Sequence, residues 1–237
     1  FAQFAGFLYP LDPFRPHTAA ELRQWLTAQV PGTWEIGPAV DNRTLDLQAA
    51  PLDPALFLSQ QLSRNYRENL KRYERKLLQL GALTLELPVA FSDLEPLKEK
   101  YFSWYRYQVK GSVRQRQKLA VWWEFYRLCP SSQLAASVLT LAGEAISMII
   151  GFWRAGQFDY FSPVFSPALQ KFGPGKIHLF YLIQHLIKRG CRRLNFLVGD
   201  EEYKQHWAKE DYSCWRVRFY HYRRPLAAGY WLRYLLR

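Results

Sequence analysis

Residues 166–176 read Ser-Pro-Ala-Leu-Gln-Lys-Phe-Gly-Pro-Gly-Lys. They set Gly173, Gly175, Lys171 and Lys176 directly ahead of a run in which Ile177, Phe180, Tyr181, Ile183, Leu186 and Ile187 recur at helical spacing. The first turn of a helix leaves backbone N–H groups without intrahelical partners, and the helix dipole adds about half a positive charge at that end. Glycine lets a phosphate approach the backbone, and lysine supplies further charge. A pyrophosphate suits such a site. So does a plain turn and helix cap, and the segment matches neither GxxxxGK[ST] nor GxGxxG, so a nucleotide hydrolase or a dinucleotide dehydrogenase gains no support.

Other chemistry is less well marked. His178 and His185 lie seven apart on one helix face without carboxylate or cysteine partners at ligand spacing, so no metal is expected. No serine or cysteine sits in a recognisable nucleophile elbow. Cys129, Cys191 and Cys214 are odd in number and widely separated, which signals neither a disulfide framework nor a zinc site, and a reducing cytoplasm is the expected location.

The elements that must position the glycine segment can be read from periodicity. Tyr66, Leu70, Tyr73, Leu77 and Leu80 define an amphipathic helix over 63–80, whose other face carries Arg64, Arg67, Lys71, Arg72, Arg75 and Lys76 against Glu68 and Glu74. That face is either a solvated surface or a receiver for an anionic substrate. Thr18 with Glu21, and Ser92 with Glu95, are capping-box patterns that open helices toward Pro31 and Gln108, and another helix is expected over 114–128. Short strands are expected at 33–37, 43–47 and 82–87. Strands at 133–141, 145–154 and 158–161, joined by Ala142-Gly143-Glu144 and Ala155-Gly156-Gln157, predict an antiparallel meander. The helix over 175–189 and a strand at 193–198 complete a βαβ unit.

The chain has 237 residues, 49% of them hydrophobic, with a net charge of +12, which supplies a sizeable core and favours anionic partners without choosing among them. No run of 18 apolar residues is present. Residues 212–237 hold six arginines and end in apolar clusters, consistent with a packed terminal strand and helix or with peripheral contact to a membrane. The sequence begins at Phe1, which leaves open whether a segment precedes it.

The second glycine segment gives the chain a family resemblance. Residues 195–207 read Asn-Phe-Leu-Val-Gly-Asp-Glu-Glu-Tyr-Lys-Gln-His-Trp, and with residues 166–176 the chain resembles the GNAT superfamily of acyltransferases. The resemblance is to the branch containing the FemAB peptidyltransferases and the acetyltransferases first linked to cellulose biosynthesis. That branch has an approximate Asp-Pro-x-Phe-x-x-Tyr-Ser-Pro-Gly loop, and after its helix Asp-Phe-x-x-Gly-Asp-Glu-x-Tyr-Lys-x-x-Trp. Pro167, Pro174, Gly175, Phe196, Gly199, Asp200, Glu201, Tyr203, Lys204 and Trp207 match. Ser166 and Asn195 stand where aspartate is frequent, and Gly173 where serine is usual. The basic helix and residues 139–146 are similar to the family's basic helix and central hairpin, so the likeness spans roughly residues 40–210.

The resemblance implies an α/β GNAT fold with a mixed central sheet flanked by helices. Residues 1–50 would be the remnant of a degenerate N-terminal GNAT-like half, and residues 51–237 the acyltransferase domain. It implies an acetyl-CoA or other acyl-CoA co-substrate on Lys171, Phe172, Gly173, Pro174, Gly175 and Lys176, with an amine attacking the thioester. Tyr203 is the candidate acid for the leaving thiolate, or a structural tyrosine beside Trp207. Glu144 and Asp200 lead the candidate bases, with Asp159, Glu201 and His206 also available, and Asp200 alternatively a helix N-cap. Arg67, Lys71 and Lys204 are candidate contacts for a small anionic acceptor, Lys204 alternatively bracing its helix. Competing expectations are an aminoacyl-tRNA-dependent transferase of the FemAB kind, a non-catalytic module on the same scaffold, and a nucleic-acid-binding protein.

Overall fold

The computed structural model describes residues 3–8, 24, 33–109, 113–199, 201–208 and 210–220. The chain forms two compact units: Phe1–Asn42 with Val198–Asp200 and Asp211–Arg237, and Arg43–Leu197 with Glu201–Glu210. In the smaller unit, strand β1 (Gln3–Leu8) pairs antiparallel with β8 (Glu210–Tyr220). The expected helix from Thr18 to Pro31 and the end of the chain from 221 lie outside the described residues.

The larger unit is a sheet between two helical layers. Its helices are α1 (Pro54–Gln61), α2 (Arg64–Leu78), α3 (Phe91–Leu94), α4 (Lys98–Val109), α5 (Val113–Leu128), α6 (Pro174–Lys188) and α7 (Glu202–Trp207). Its strands are the end of β2 (Thr33–Asp46), then β3 (Leu83–Val89), β4 (Leu134–Leu141), β5 (Glu144–Arg154), β6 (Gln157–Phe165) and β7 (Arg193–Val198), in the order β2-β7-β6-β5-β4-β3. The two segments expected at 33–37 and 43–47 are one continuous strand, β2.

Alternation along the strands divides the core. Ala135 and Leu139 of β4 join Leu70 and Leu77 of α2 and Ile177, Leu182 and Ile183 of α6 on one face. Ala136 and Val138 of β4 join Tyr101 of α4 and Trp123 and Tyr126 of α5 on the other. The two hairpins turn as expected: Ala142 (φ 52°) with Gly143 (φ 84°), and Ala155 (φ 45°) with Gly156 (φ 80°), put two consecutive residues at positive φ. That turn geometry matches strand twist. Ser63 caps α2, its hydroxyl accepting from Tyr66 N at 3.3 Å.

Ser92 does not open a long helix. α3 is only four residues, its N-cap Ala90 gives no side-chain bond, and the Ser92 hydroxyl turns to the Asp93 carboxylate. Pro96 sits in the 3₁₀ turn Glu95–Leu97 that separates α3 from α4. Proline removes a backbone donor and crowds the preceding turn, so the two helices cannot merge smoothly. β6 also runs four residues past the expected end, to Phe165.

One buried polar chain fastens α6 to the sheet. Ser147 donates to Val164 O at 2.9 Å, so it accepts from His178 Nδ1 at 2.9 Å, and His178 Nε2 accepts from Ser137 at 2.9 Å. Burial holds the His178 pKa down to about 3, so the ring is neutral.

Candidate active site

The glycine segment starts where β6 ends. Ser166 N donates to Ile146 O, and the 3₁₀ turn Pro167–Phe172 then carries the chain to Gly173, the N-cap of α6. Gly173 has φ 62° and ψ 43°, the left-handed conformation that glycine adopts without strain, and a Cβ there would lie 3.1 Å from the Tyr73 ring. Gly175 faces Phe165 at a similar distance. No side chain caps this helix end. Lys176 N and Ile177 N turn back to Gly173 O, and Pro174 has no N–H, so Gly175 carries the first-turn amide outside these bonds. The exposed Lys176 ammonium lies 5.5 Å from the Tyr73 ring centre and 5.8 Å from that of Tyr66, and Lys171 lies 5.0 Å from Phe172.

β6 and β7 then part company. They are parallel, yet they pair only over Gln157–Asp159 against Arg193–Asn195. Two local devices end the ladder. On β6, the register against β5 shifts between Ile150 and Gly151, leaving Phe161 as an extra residue. On β7, Asn195 Oδ1 accepts from Leu197 N at 3.0 Å, and Leu197 takes φ 61°. A side-chain oxygen thus accepts from the amide near where the ladder ends. At the same point Asp159 Oδ1 accepts from Gln157 at 2.7 Å and Asn195 at 2.8 Å.

Aromatic side chains floor this fork on its α6 side. The Tyr160 ring lies 5.7 Å from Phe196 and 6.4 Å from Tyr203, and Phe196 lies 6.2 Å from Tyr203. Tyr66 lies tilted against His206 at 4.4 Å and meets Trp207 edge-on at 6.0 Å. Burial first, then the neighbouring Glu201 and Tyr66, push the Tyr203 pKa far above that of free tyrosine. Tyr160 is raised by burial and then by Tyr203 and Tyr66. These hydroxyls keep their protons at neutral pH.

The remaining candidates are spread more widely. Glu144 opens β5 on the sheet end from which the glycine segment springs, with 81% of its side chain exposed and an ion pair to Lys100 at 3.2 Å. Asp200 lies outside the described residues, and the N-cap of α7 is Glu201. Lys204 is buried, paired with Glu201 at 2.7 Å and donating to Leu197 O at 3.5 Å, so its charge ties α7 to β7. Arg67 donates to Ser59 O and Leu62 O at the end of α1, while Lys71 is exposed and paired with Glu68. Tyr66 entered the sequence reading only as a core position of α2, because helical spacing records burial and says nothing of which hydroxyls converge. Among the described residues no cluster of His, Cys, Asp and Glu could hold a metal ion, and no helix is long and apolar enough to cross a membrane.

A parallel β-α-β with a glycine-opened helix and diverging strands is the arrangement that the family resemblance implies, and the comparisons supply the family. The chain belongs to the family described as "Acetyltransferase (GNAT) domain", whose model matches residues 64–205. It is a GNAT-type acyltransferase. Among solved structures it is similar to FemX, with 11% identity, a TM-score of 0.57, and coverage of 87% of this chain and 69% of that one. It is also similar to L-PGS from Bacillus licheniformis (11%, 0.52, 89% and 67%) and to a tandem GNAT protein from the clavulanic acid biosynthesis pathway (11%, 0.51, 91% and 63%). The chain therefore spans about two thirds of the length of these relatives, and the likeness is one of fold. No curated protein sequence matches it.

Proposed function

We propose that this acyltransferase takes its acyl group from a CoA thioester and passes it to the amine of a small anionic, sugar-like or amino-acid-like acceptor. The observation that carries this reading is the adjacency of an uncapped, glycine-opened helix end and a strand fork in one βαβ unit. The diphosphate of the donor would lie on the amide face around Phe172–Lys176, with the Lys171 and Lys176 ammoniums adding charge. The donor's arm would run toward the fork, where β6 offers backbone that β7 no longer pairs. Holding thioester and amine in line removes most of the entropic barrier.

Tyr203 is proposed to donate its proton to the departing thiolate, and its raised pKa leaves the hydroxyl protonated and neutral at neutral pH. Glu144, Asp159 and Asp200 are the carboxylates proposed to take the proton of the amine. The exposed Lys71, Arg72, Arg75 and Lys76 of α2, the helix that packs beside α6, favour an anionic acceptor. Thermal unfolding with acetyl-CoA and longer acyl-CoA tests the donor, and release of free thiol across a panel of amines tests the transfer. The reading predicts stabilisation by the thioester that Gly175→Trp abolishes. Stabilisation by tRNA with no effect of CoA would overturn it.

A further inference from the structure

α5 carries more aromatic rings than the core takes from it. Leu119, Trp123 and Tyr126, spaced four and three apart, are buried and form its inward stripe. Trp122 and Phe125 lie off that stripe, 37% and 48% exposed. The helix packs without them, and large rings left together at a surface mark a binding face. They form one patch. The Trp122 ring lies 4.9 Å from Phe161 and meets Phe125 edge-on at 6.0 Å, and Phe125 meets Phe152 at 5.8 Å. Phe152 of β5 and Phe161 of β6 are half-buried and lie 5.6 Å apart.

Phe161 joins this patch to the strand fork. It is the extra residue of the β6 bulge, two positions past Asp159, where the pairing with β7 ends. Neighbouring strand residues face opposite sides of a sheet, and here Tyr160 packs with the α6 core while Phe161 packs with the α5 core. On the α6 side Tyr160 and Phe196 are buried, whereas the rings on the α5 side stay partly open. In the proposed transfer the amine nitrogen bonds to the thioester carbon as the carbon–sulfur bond breaks, one amine proton leaving and the sulfur taking one. The nitrogen must therefore reach the fork, and the group attached to it lies over the adjoining surface, Phe161 and Trp122. The four rings meet at interplanar angles between 57° and 85°, so they offer edges and corners, with no flat platform for a sugar ring. Such a surface suits an apolar side chain. We infer that Trp122, Phe125, Phe152 and Phe161 form an acceptor subsite for an apolar side group, which makes the preferred acceptor an amino-acid-like amine with an aromatic or branched aliphatic side chain. The inference rests on the transfer reading given above and narrows its acceptor classes to one.

Initial rates of thiol release from acetyl-CoA test it, with phenylalanine, leucine, glycine and glucosamine as acceptors for the wild type, Trp122→Ala, Trp122→Phe and Phe125→Ala. The expected result is a kcat/KM for phenylalanine and leucine about tenfold above that for glycine and glucosamine, a preference that Trp122→Ala abolishes, Phe125→Ala weakens and Trp122→Phe largely keeps. Wild-type rates that do not favour the two apolar amino acids, or a preference that survives both alanine variants, would overturn the subsite while leaving the transfer reading standing. An equal loss on all four amines would mean a general distortion and would also overturn it. Self-association of the wild type in sedimentation, abolished by Trp122→Ala, would assign the rings to a second copy of the chain and count against the subsite in the same way. No thiol release with any of the four amines would refute the transfer reading, and the subsite with it.

Discussion

Tyr203 shows how surroundings change the chemistry of one hydroxyl. It stands in the first turn of α7 against Tyr160 and Phe196, and burial beside Glu201 makes its proton hard to remove. Tyr203→Phe keeps the ring and removes the proposed acid, so on that proposal kcat should fall by about a hundredfold while the KM for acyl-CoA changes little, as steady-state kinetics would show. His178 makes a different prediction. Its pKa is about 3 in the folded chain and near 6.5 when free, so the unfolded chain binds a proton first as pH falls. The neutral ring thus contributes stability above pH 6.5, and that contribution drains away between pH 6.5 and 3, amounting to roughly 4–5 kcal/mol at the acid end. Urea unfolding across that range should show the loss, and His178→Gln should flatten this part of the profile.

The first turn of α6 depends on a backbone that only glycine enters cheaply. At Gly173 the left-handed conformation and the Tyr73 ring both oppose a side chain. Gly173→Ala should cost about 1–2 kcal/mol in urea unfolding, and it should reduce the stabilisation given by CoA, since the turn presents the amide of Gly175. α2 braces α6 from outside: Tyr73 covers Gly173, and Tyr181 of α6 donates to Glu74 of α2 at 2.6 Å. Much of this was legible in sequence. The spacing of Tyr66, Leu70 and Leu77 gave α2, and the two glycines gave the start of α6. The break at Pro96 was masked by the Ser92–Glu95 pattern, because a capping box describes one helix end and is blind to a proline that stops the turn it opens.

At the scale of the molecule, ligand linkage is the broadest test. A donor bound to the folded chain at a hundred times its Kd adds about 2.7 kcal/mol, and a protein of this size should gain about 2–4 °C in Tm for each kcal/mol. The net charge of +12 predicts in addition that the KM for an anionic acceptor rises with salt, because exposed charges on α2 are screened within about 10 Å at 0.1 M. Kinetics at two ionic strengths would show this, and a salt-independent KM would rule out long-range attraction by that face.

The sequence alone determined which segments fold and which backbone turns they need. Apolar spacing, the paired turn residues of the two hairpins and the glycines before α6 are local constraints, each met within a few residues of chain. It also carried the family, through the residues around Gly175 and Gly199–Trp207. Tertiary structure decided where those residues sit and what they touch. It buried Lys204 against β7, brought Tyr66 from an upstream helix to the fork, and turned Asn195 into the group that accepts from Leu197. Burial and convergence depend on contacts between segments far apart in the chain, and periodicity within one segment does not encode them.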